Sequence, residues 1–519
     1  MLWAGISAQS RGEVMYRIAM LRLRVATPRA RICTSRARSW VARFQVGLLL
    51  AGLALVTNAC VFDSGGVQGY WPSDQGVDHA PPKPDVAPDI APDILAPDTR
   101  PPCSGLTCPL GCNTEEDRCY RMRPSNIDPE EDDVDYDEAV TPIILKPNPE
   151  DPEAPIVIDA DRGEILGFTD STVKAVREGI SHVMLPQVDA NGMSIPNAPE
   201  VAVFVFDALQ ITPGTVVRVV GTHPVIFYIR TTVEIGGTLL VNGSSTAPGP
   251  SGGAGGPDSG LPGDIHCPGS GEGGDRTSKD LSEWTSGGGG AGYGQPGATG
   301  AKVQCTLSLV WEPSELGGGD GGPVFGDETT IPLRGGCGGG AGGNSPLGLF
   351  GMGGQGGNGG GGLQISAGES VTITGIINAS GAGGGGGQNG AAGGGGGSGG
   401  AILIEAPSVV VGGIIAANGG AGGAGSATSL TENIGANGAD GQPSSVPASA
   451  GIAGLPYGTN GGNGGARATQ PTPGENSAAR CNGGGGGGGA GRIRINATKI
   501  TPTTMPSPEP SPGKLLPYW

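Results

Sequence analysis

The sequence predicts an all-β protein built as a right-handed parallel β-solenoid (β-helix) with long glycine-rich insertions, and three observations carry that prediction. One pattern, V-x-[IV]-x-G-x-[IL]-x-[VA]-x-G, occurs three times: Val233, Ile235, Gly237, Leu239, Val241, Gly243; Val371, Ile373, Gly375, Ile377, Ala379, Gly381; and Val409, Val411, Gly413, Ile415, Ala417, Gly419. Each copy follows a further strand-like phrase, "VIFYI", "LQI" or "AILIE". Finally, 104 glycines and 45 prolines with only 4% aromatic residues leave too little bulk for several ordinary packed cores in 519 residues.

Alternation at period two with a central glycine reads as a strand that bends and continues. A unit of two or three short strands cannot bury its apolar face alone. Stacking the units places Val371 over Val233 and Val409 over Val371 as an internal aliphatic ladder. "ALQITPGTVVRVVG" reads as an earlier rung and "GRIRINATKI" opens a last one, so the predicted solenoid covers residues 156–500. Long insertions fall at 244–362 and 420–491, and a shorter one at 382–400 is nearly all Gly, Ala and Ser. Loop-closure entropy grows slowly with length, which lets a solenoid carry such excursions. The glycine tracts are either surface loop or bundled polyproline-II-type helices bonded through their backbones. Ordered packing is expected, because long structureless loops inside compact domains are uncommon.

Residues 1–59 read as an export signal: an arginine-rich start, then the apolar run "FQVGLLLAGLALVTNAC", too short for a comfortable membrane span. Met15 and Met20 are alternative starts. "LVTNAC" resembles a bacterial lipoprotein box, which implies lipidation of Cys60; Val61 in place of aspartate favours an outer-membrane or cell-surface address. Residues 60–102 contain the Pro-Asp spacer "APPKPDVAPDIAPDILAPDTRPP", an extended, self-repelling tether predicted to be disordered.

Residues 103–123 form a small disulfide knot. Cys103, Cys108, Cys112 and Cys119 lie at C-x4-C-x3-C-x6-C, without the paired C-x2-C knuckles of zinc sites. Setting Cys33 and Cys60 aside from the ten cysteines leaves eight, an even number suited to an oxidising compartment. The other four, Cys267, Cys305, Cys337 and Cys481, are placed to staple the glycine-rich loops. Spacing leaves the pairing open. Residues 124–155 read as an acidic linker and 501–519 as a Pro-rich tail.

The stretch "CPLGCNTEEDRCYRMRPSNID", followed by "VFVFDALQITPGTVVRVVGTHPVIFYI" and "VEIGGTLLVNG", resembles uncharacterised glycine-rich exported lipoproteins of environmental Gram-negative bacteria, over roughly Cys103 to Ala497. The tracts also resemble PGRS-type surface proteins in composition, without the paired-helix domain of PE-type members. The resemblance implies a surface or secreted location and no established activity.

A net charge of -18 opposes nucleic-acid binding, which rests on Lys and Arg neutralising phosphates. Glycine tracts also generate false motifs. "GGSGG" at Ser398 and "GPSGG" at Ser251 match G-x-S-x-G, but the last histidine is His266, so Ser398 has no downstream base and Ser251 lies too close to His266 for a hydrolase core. His79, His182, His223 and His266 have no metal-ligand spacing, and His223 reads as a turn residue. Asp207, Glu234, Glu369 and Glu405 read as isolated, solvent-facing or turn acids, not the two converging carboxyls that glycosidic chemistry needs. "DVDYDE" supplies Asp133, Asp135 and Asp137 at calcium-loop spacing, but Glu138 stands where glycine belongs and Ile144 where the last ligand belongs. "DADRGE" at 159–164 is a second acidic turn. No cofactor or metal is expected.

The expectation is therefore a non-catalytic, lipid-anchored surface protein, structural or adhesin-like, whose repeated flat face suits polysaccharide or extracellular matrix. The alternative is a carbohydrate-active β-helix enzyme, marked by acids converging near residues 201–241. Ice or mineral binding would need more regular small-residue spacing.

Overall fold

The period-two phrases of the sequence form parallel strands in the register that their alignment predicts. In a computed structural model, Val233 pairs with Val371, and Val371 with Val409. Leu239 pairs with Ile377, and Ile377 with Ile415. The structure describes residues 108–518 except 114–117, 130–133, 135–141, 168–180, 257–260, 280–281, 305–315, 346–350, 428–433, 454–456 and 478–480. Cys60, the tether, Cys103, Cys305, His79 and the Asp133–Asp137 acids lie outside the described residues. Among the described residues there is no α-helix.

The strands fall into three columns. The first runs Ser181–Leu185, Val201–Phe206, Val225–Ile229, Gly362–Ala367 and then the opening half of the long strand Ala401–Val411. Beside it the second runs Ile143–Leu145, Leu209–Ile211, Thr232–Ile235, Ser370–Ile373 and the closing half of Ala401–Val411. Arg492–Pro502 pairs in parallel with both halves of that long strand, and Ser511–Gly513 pairs in parallel beyond its opening half. The third column is a separate six-stranded sheet from Glu164–Leu166 and Ile156–Asp159 through Val216–Val220, Thr238–Leu240 and Ile376–Asn378 to Ile414–Ala416. Pairing is parallel throughout except at two edges, where Ser181–Leu185 and Glu164–Leu166 run antiparallel to their neighbours.

Inward side chains of all three columns meet in one hydrophobic cluster, in which Phe204, Phe227, Val233, Leu239, Val371, Ile377, Val409 and Ile415 are buried. Strands of the second and third columns alternate buried and partly exposed positions, whereas Val201–Phe206 and Val225–Ile229 are buried at every position. The sequence carries this difference: "VAVFVF" and "VIFYI" are continuous apolar runs, the mark of a strand covered on both faces. A second cluster, with Val203, Ile226, Tyr228, Met122 and Ile127, lies against that outer face.

The central glycine of the repeat has a steric reason. It stands where the chain turns from the second column to the third, and successive rungs touch there: an added Cβ at Gly375 would lie 1.9 Å from the Gly237 carbonyl oxygen, and one at Gly413 would lie 1.9 Å from the Gly375 oxygen. The closing glycine of each copy begins a second kind of order. Gly243 N–H donates to Ser380 O and Gly381 N–H to Asn418 O, each carrying its tract away from the sheet.

The glycine tracts are a hydrogen-bonded bundle of extended segments. In 393–400 the amides of Gly393, Gly396 and Gly399 donate to Gly483, Gly486 and Gly489; those of Gly394, Gly397 and Gly400 donate to Gly385, Ala382 and Ala379; those of Gly395 and Ser398 donate to Gly340 and Cys337. Its carbonyls accept from three other segments, around Gly288–Ala291, Gly357–Gly360 and Gly420–Gly423. Partners recur every third residue, the period of a threefold polyproline-II-type helix, and six segments surround the central one. An added Cβ at Gly395 would lie 2.0 Å from Gly289 O, so no side chain fits between the backbones.

Side chains finish the bundle's edge, again at period three. Asn437 and Asp440 accept from the Gly386 and Gly383 amides at 2.9 and 2.8 Å, and Asn460 and Asn463 accept from Ala453 and Ala450 at 2.8 and 2.9 Å.

Segments expected to lie outside the repeats also carry strands. Within 124–155, Ile143–Leu145 pairs with Leu209–Ile211. Arg121–Arg123, the end of the predicted knot, pairs antiparallel with Leu516–Tyr518 of the Pro-rich tail.

Candidate functional site

Two disulfides are formed between described cysteines, Cys108–Cys119 and Cys267–Cys337. Cys112 and Cys481 are disulfide-bonded as well. Cys267–Cys337 ties a loop between two bundle segments to the tract 335–343, and its Cys337 sulfur accepts from the Gly269 amide at 3.2 Å.

Next to this bridge is a cleft of about 610 Å³, lined among others by Thr222, Ser251, Asp264, His266, Phe325 and Arg334. Several segments place them, with Asp264 and His266 sharing one turn. The Phe325 ring packs edge-on against Tyr293 at 4.8 Å, and the buried Tyr293 hydroxyl donates to the Arg334 carbonyl at 3.1 Å. Burial pushes the Tyr293 phenol upward, so it serves as a neutral donor. The Arg334 guanidinium donates to Asn197 O at 2.7 Å. Asp264 Oδ1 accepts from the His266 amide at 2.9 Å, shaping the turn that presents the exposed His266 ring.

Thr222 brings an Asp161–His223 pair to the rim. Asp161 accepts from the Thr222 amide at 2.8 and 3.0 Å, and its Oδ1 lies 2.8 Å from His223 Nδ1. Burial opposes ionisation of Asp161, but the hydrogen bonds from His223 and Thr222 outweigh it and hold the carboxyl below its usual range. His223 is thus a turn residue, as the sequence predicts, with a carboxylate partner that the sequence places 62 positions away.

Ser251 and His266, set aside as too close in sequence, line the same cleft, and Ser251 has a left-handed backbone, φ 60°. No hydrogen bond joins the Ser251 hydroxyl to the His266 ring among the described residues; that hydroxyl instead accepts from the Gly335 amide at 3.4 Å. Ser398 is fully buried in the bundle, where its hydroxyl accepts from the Cys337 amide at 2.8 Å. Among the described residues lining the cleft, Asp264 is the one carboxylate. The arrangement offers an aromatic ring, a guanidinium, an imidazole and hydroxyls around a polar ligand, without a carboxyl pair among the described residues.

Of the rung acids, Glu234 is exposed and accepts from Gln210 at 2.8 Å, Glu369 is an exposed turn residue, and Asp207 pairs with Arg230 at 2.6 Å. Glu405 corrects the reading of it as solvent-facing. It is 1% exposed, on the covered outer face of the first column. Its carboxylate accepts from Gln364 Nε2 at 2.8 Å, Asn496 Nδ2 at 2.8 Å, Ser366 Oγ at 3.0 Å and the Ser125 amide at 3.0 Å, and from the Ser125 hydroxyl. A buried charge is tolerated when its acceptor sites are filled in this way. The network fastens the segment after the knot onto the sheet. Its signal in the sequence is the register: Ser366, Glu405 and Asn496 are cross-strand neighbours.

At the 159–164 turn, Asp159 caps the Asp161 and Arg162 amides at 3.1 Å and Asp161 binds Thr222, so these acids hold the fold together. Among the described residues no group of three or more His, Cys, Asp or Glu is placed to hold a metal ion. No family model, no curated protein and no solved structure matches the chain, so the site is read from its own chemistry.

Proposed function

We propose that the chain is a non-catalytic, cell-surface adhesin or matrix protein, lipid-anchored through Cys60, in which a right-handed β-solenoid and its glycine bundle present a rigid cleft to polysaccharide. Three columns, parallel except at two edges, around one core support the solenoid reading, and parallel crossovers are right-handed in nearly all proteins. Disulfides fit an exported chain. The tether, residues 60–102, carries the folded part away from an outer membrane.

The observation that carries the ligand class is the cleft beside Cys267–Cys337. Phe325 and Arg334 offer an aromatic ring and a planar donor, while Thr222, Asp264 and His266 offer hydrogen bonds to hydroxyls. Sugar rings are recognised by such mixtures of stacking and polar contact. Among the described lining residues Asp264 alone supplies a carboxyl, which favours binding over glycosidic cleavage.

The test is retention of the full chain on a panel of soluble and insoluble polysaccharides, with assays for new reducing and unsaturated ends. Retention without new ends, weakened at least tenfold by Arg334→Ala, is the expected result. New ends would replace this reading with a carbohydrate-active enzyme. Incorporation of labelled fatty acid, abolished by Cys60→Ser, tests the anchor.

A further inference from the structure

A second groove, of about 660 Å³, runs along the glycine bundle. Its floor is the tract 381–388, and the segments around Gln355 and Gly438 form its walls. The groove differs from the filled interior in one respect: tract 393–400 has six backbone neighbours, whereas tract 381–388 has four.

Those four follow the same threefold rule. Amides of Gly381, Gly384 and Gly387 donate to Asn418, Ala421 and Ala424; those of Ala382, Gly385 and Gln388 donate to Asn358, Gln355 and Met352. Carbonyls of Gly381, Gly384 and Gly387 accept from Gly441, Gly438 and Gly435, and those of Ala382, Gly385 and Gln388 from Gly397, Gly394 and Ala391. The remaining set belongs to Gly383 and Gly386. Their amides are capped by the Asp440 and Asn437 side chains in place of a backbone. Their carbonyls accept no hydrogen bond from the described residues, and the Gln355 amide on the facing wall donates none.

We propose that this groove is an unfilled lane of the bundle and docks an extended, glycine-rich segment of a partner polypeptide. Acceptors at Gly383 and Gly386 stand three residues apart, about 9 Å along a threefold helix, and match the amide spacing of such a segment. The occupant must carry glycine where it faces the lane. In the filled lattice an added Cβ at Gly394 would lie 2.1 Å from Gln355 O, and the same closeness applies to a new neighbour. The chain's own stretch 460–463, Asn-Gly-Gly-Asn, is a template: Gly461 and Gly462 bond neighbouring backbones, while Asn460 and Asn463 cap amides at the edge. Met352 and Ile434, 51% and 63% exposed at the rim, offer apolar contact to the partner's flanking residues. This mode resembles strand addition to a sheet edge, with main-chain bonds supplying affinity and steric exclusion supplying specificity.

The test is fluorescence anisotropy of a labelled dodecapeptide repeating Asn-Gly-Gly, titrated with the full chain, beside a control peptide repeating Asn-Ala-Ala. The glycine peptide is expected to bind at least tenfold more tightly. Ser245→Trp and Ile434→Trp, which crowd the groove from exposed positions, are each expected to weaken it at least tenfold with an unchanged melting temperature. Equal binding of both peptides, or no binding of the glycine peptide at millimolar concentration, would overturn the proposal. So would a dimer in sedimentation that Ser245→Trp dissociates while the peptide stays unbound, because the lane would then belong to a second copy. No sugar enters this assay, so its failure leaves the polysaccharide reading standing, and the reverse also holds.

Discussion

The stacked rungs and the glycine bundle solve the same problem by opposite means. Both satisfy backbone N–H and C=O groups through neighbouring segments. The rungs fill the space between columns with Val, Ile, Leu and Phe, and stability there comes from apolar burial. The bundle brings backbones so close that a methyl group has no room, as at Gly395. Its order comes from hydrogen bonds and close contact, against the large entropy that glycine loses on folding. The rungs therefore fear loss of a side chain, and the bundle fears gain of one.

That contrast is sharpest in the bundle's interior. Gly395→Val is expected to cost more than about 5 kcal/mol or abolish folding, because backbone must move to admit it. Gly412→Ala, whose added Cβ would meet nothing nearer than Thr503 Oγ1 at 3.5 Å, is expected to change stability by less than about 0.5 kcal/mol. Urea titrations of the two variants read the difference, and equal losses would break the comparison.

Within the glycine-rich insertion there is also a covalent tie. Cys267–Cys337 closes a sequence separation of 70 residues. Its removal as Cys267→Ser with Cys337→Ser is expected to cost about 4 kcal/mol on the chain-entropy account, measured by thermal unfolding. In the rungs, Ile377→Ala deletes a fully buried side chain and is expected to cost about 3 kcal/mol, within the range for such cavities. A cost near zero would mean that the columns collapse onto the gap, which close-packed neighbours above and below oppose.

The smallest effect is electrostatic. Asp161 is held below its ordinary range, so its contribution is present above the unfolded-state value and is lost as pH falls through the folded-state value. Acid unfolding below about pH 4 should therefore carry a component that Asp161→Asn removes, leaving stability at neutral pH lower and the acid limb flatter. Asp327, lowered by hydrogen bonds from the Thr329 side chain and amide, adds to the same limb.

Much of the rung register was legible because it rests on side-chain periodicity, which a sequence displays directly. Val233, Val371 and Val409 align by eye, and so they pair. The bundle was legible only as composition. A tract such as "GGGGGSGG" carries no side chains to mark which face meets which neighbour, so its partners, Gly340, Gly385 and Gly486 among them, follow from the folded geometry alone. The signals that do exist are the period-three edge residues Asn437, Asp440, Asn460 and Asn463, which alternation at period two passes over. Glu405 was misread for a related reason. Its strand was assigned correctly, but the cover over that strand's outer face comes from Ser125, 280 residues earlier.

The central claim is that the glycine tracts are ordered by their own backbone lattice, and hydrogen exchange of the full chain tests it most directly. Amides of residues 393–400 should exchange as slowly as those of Val225–Ile229 in the rungs. Exchange of 393–400 at random-coil rates, with the rung amides protected, would contradict the account.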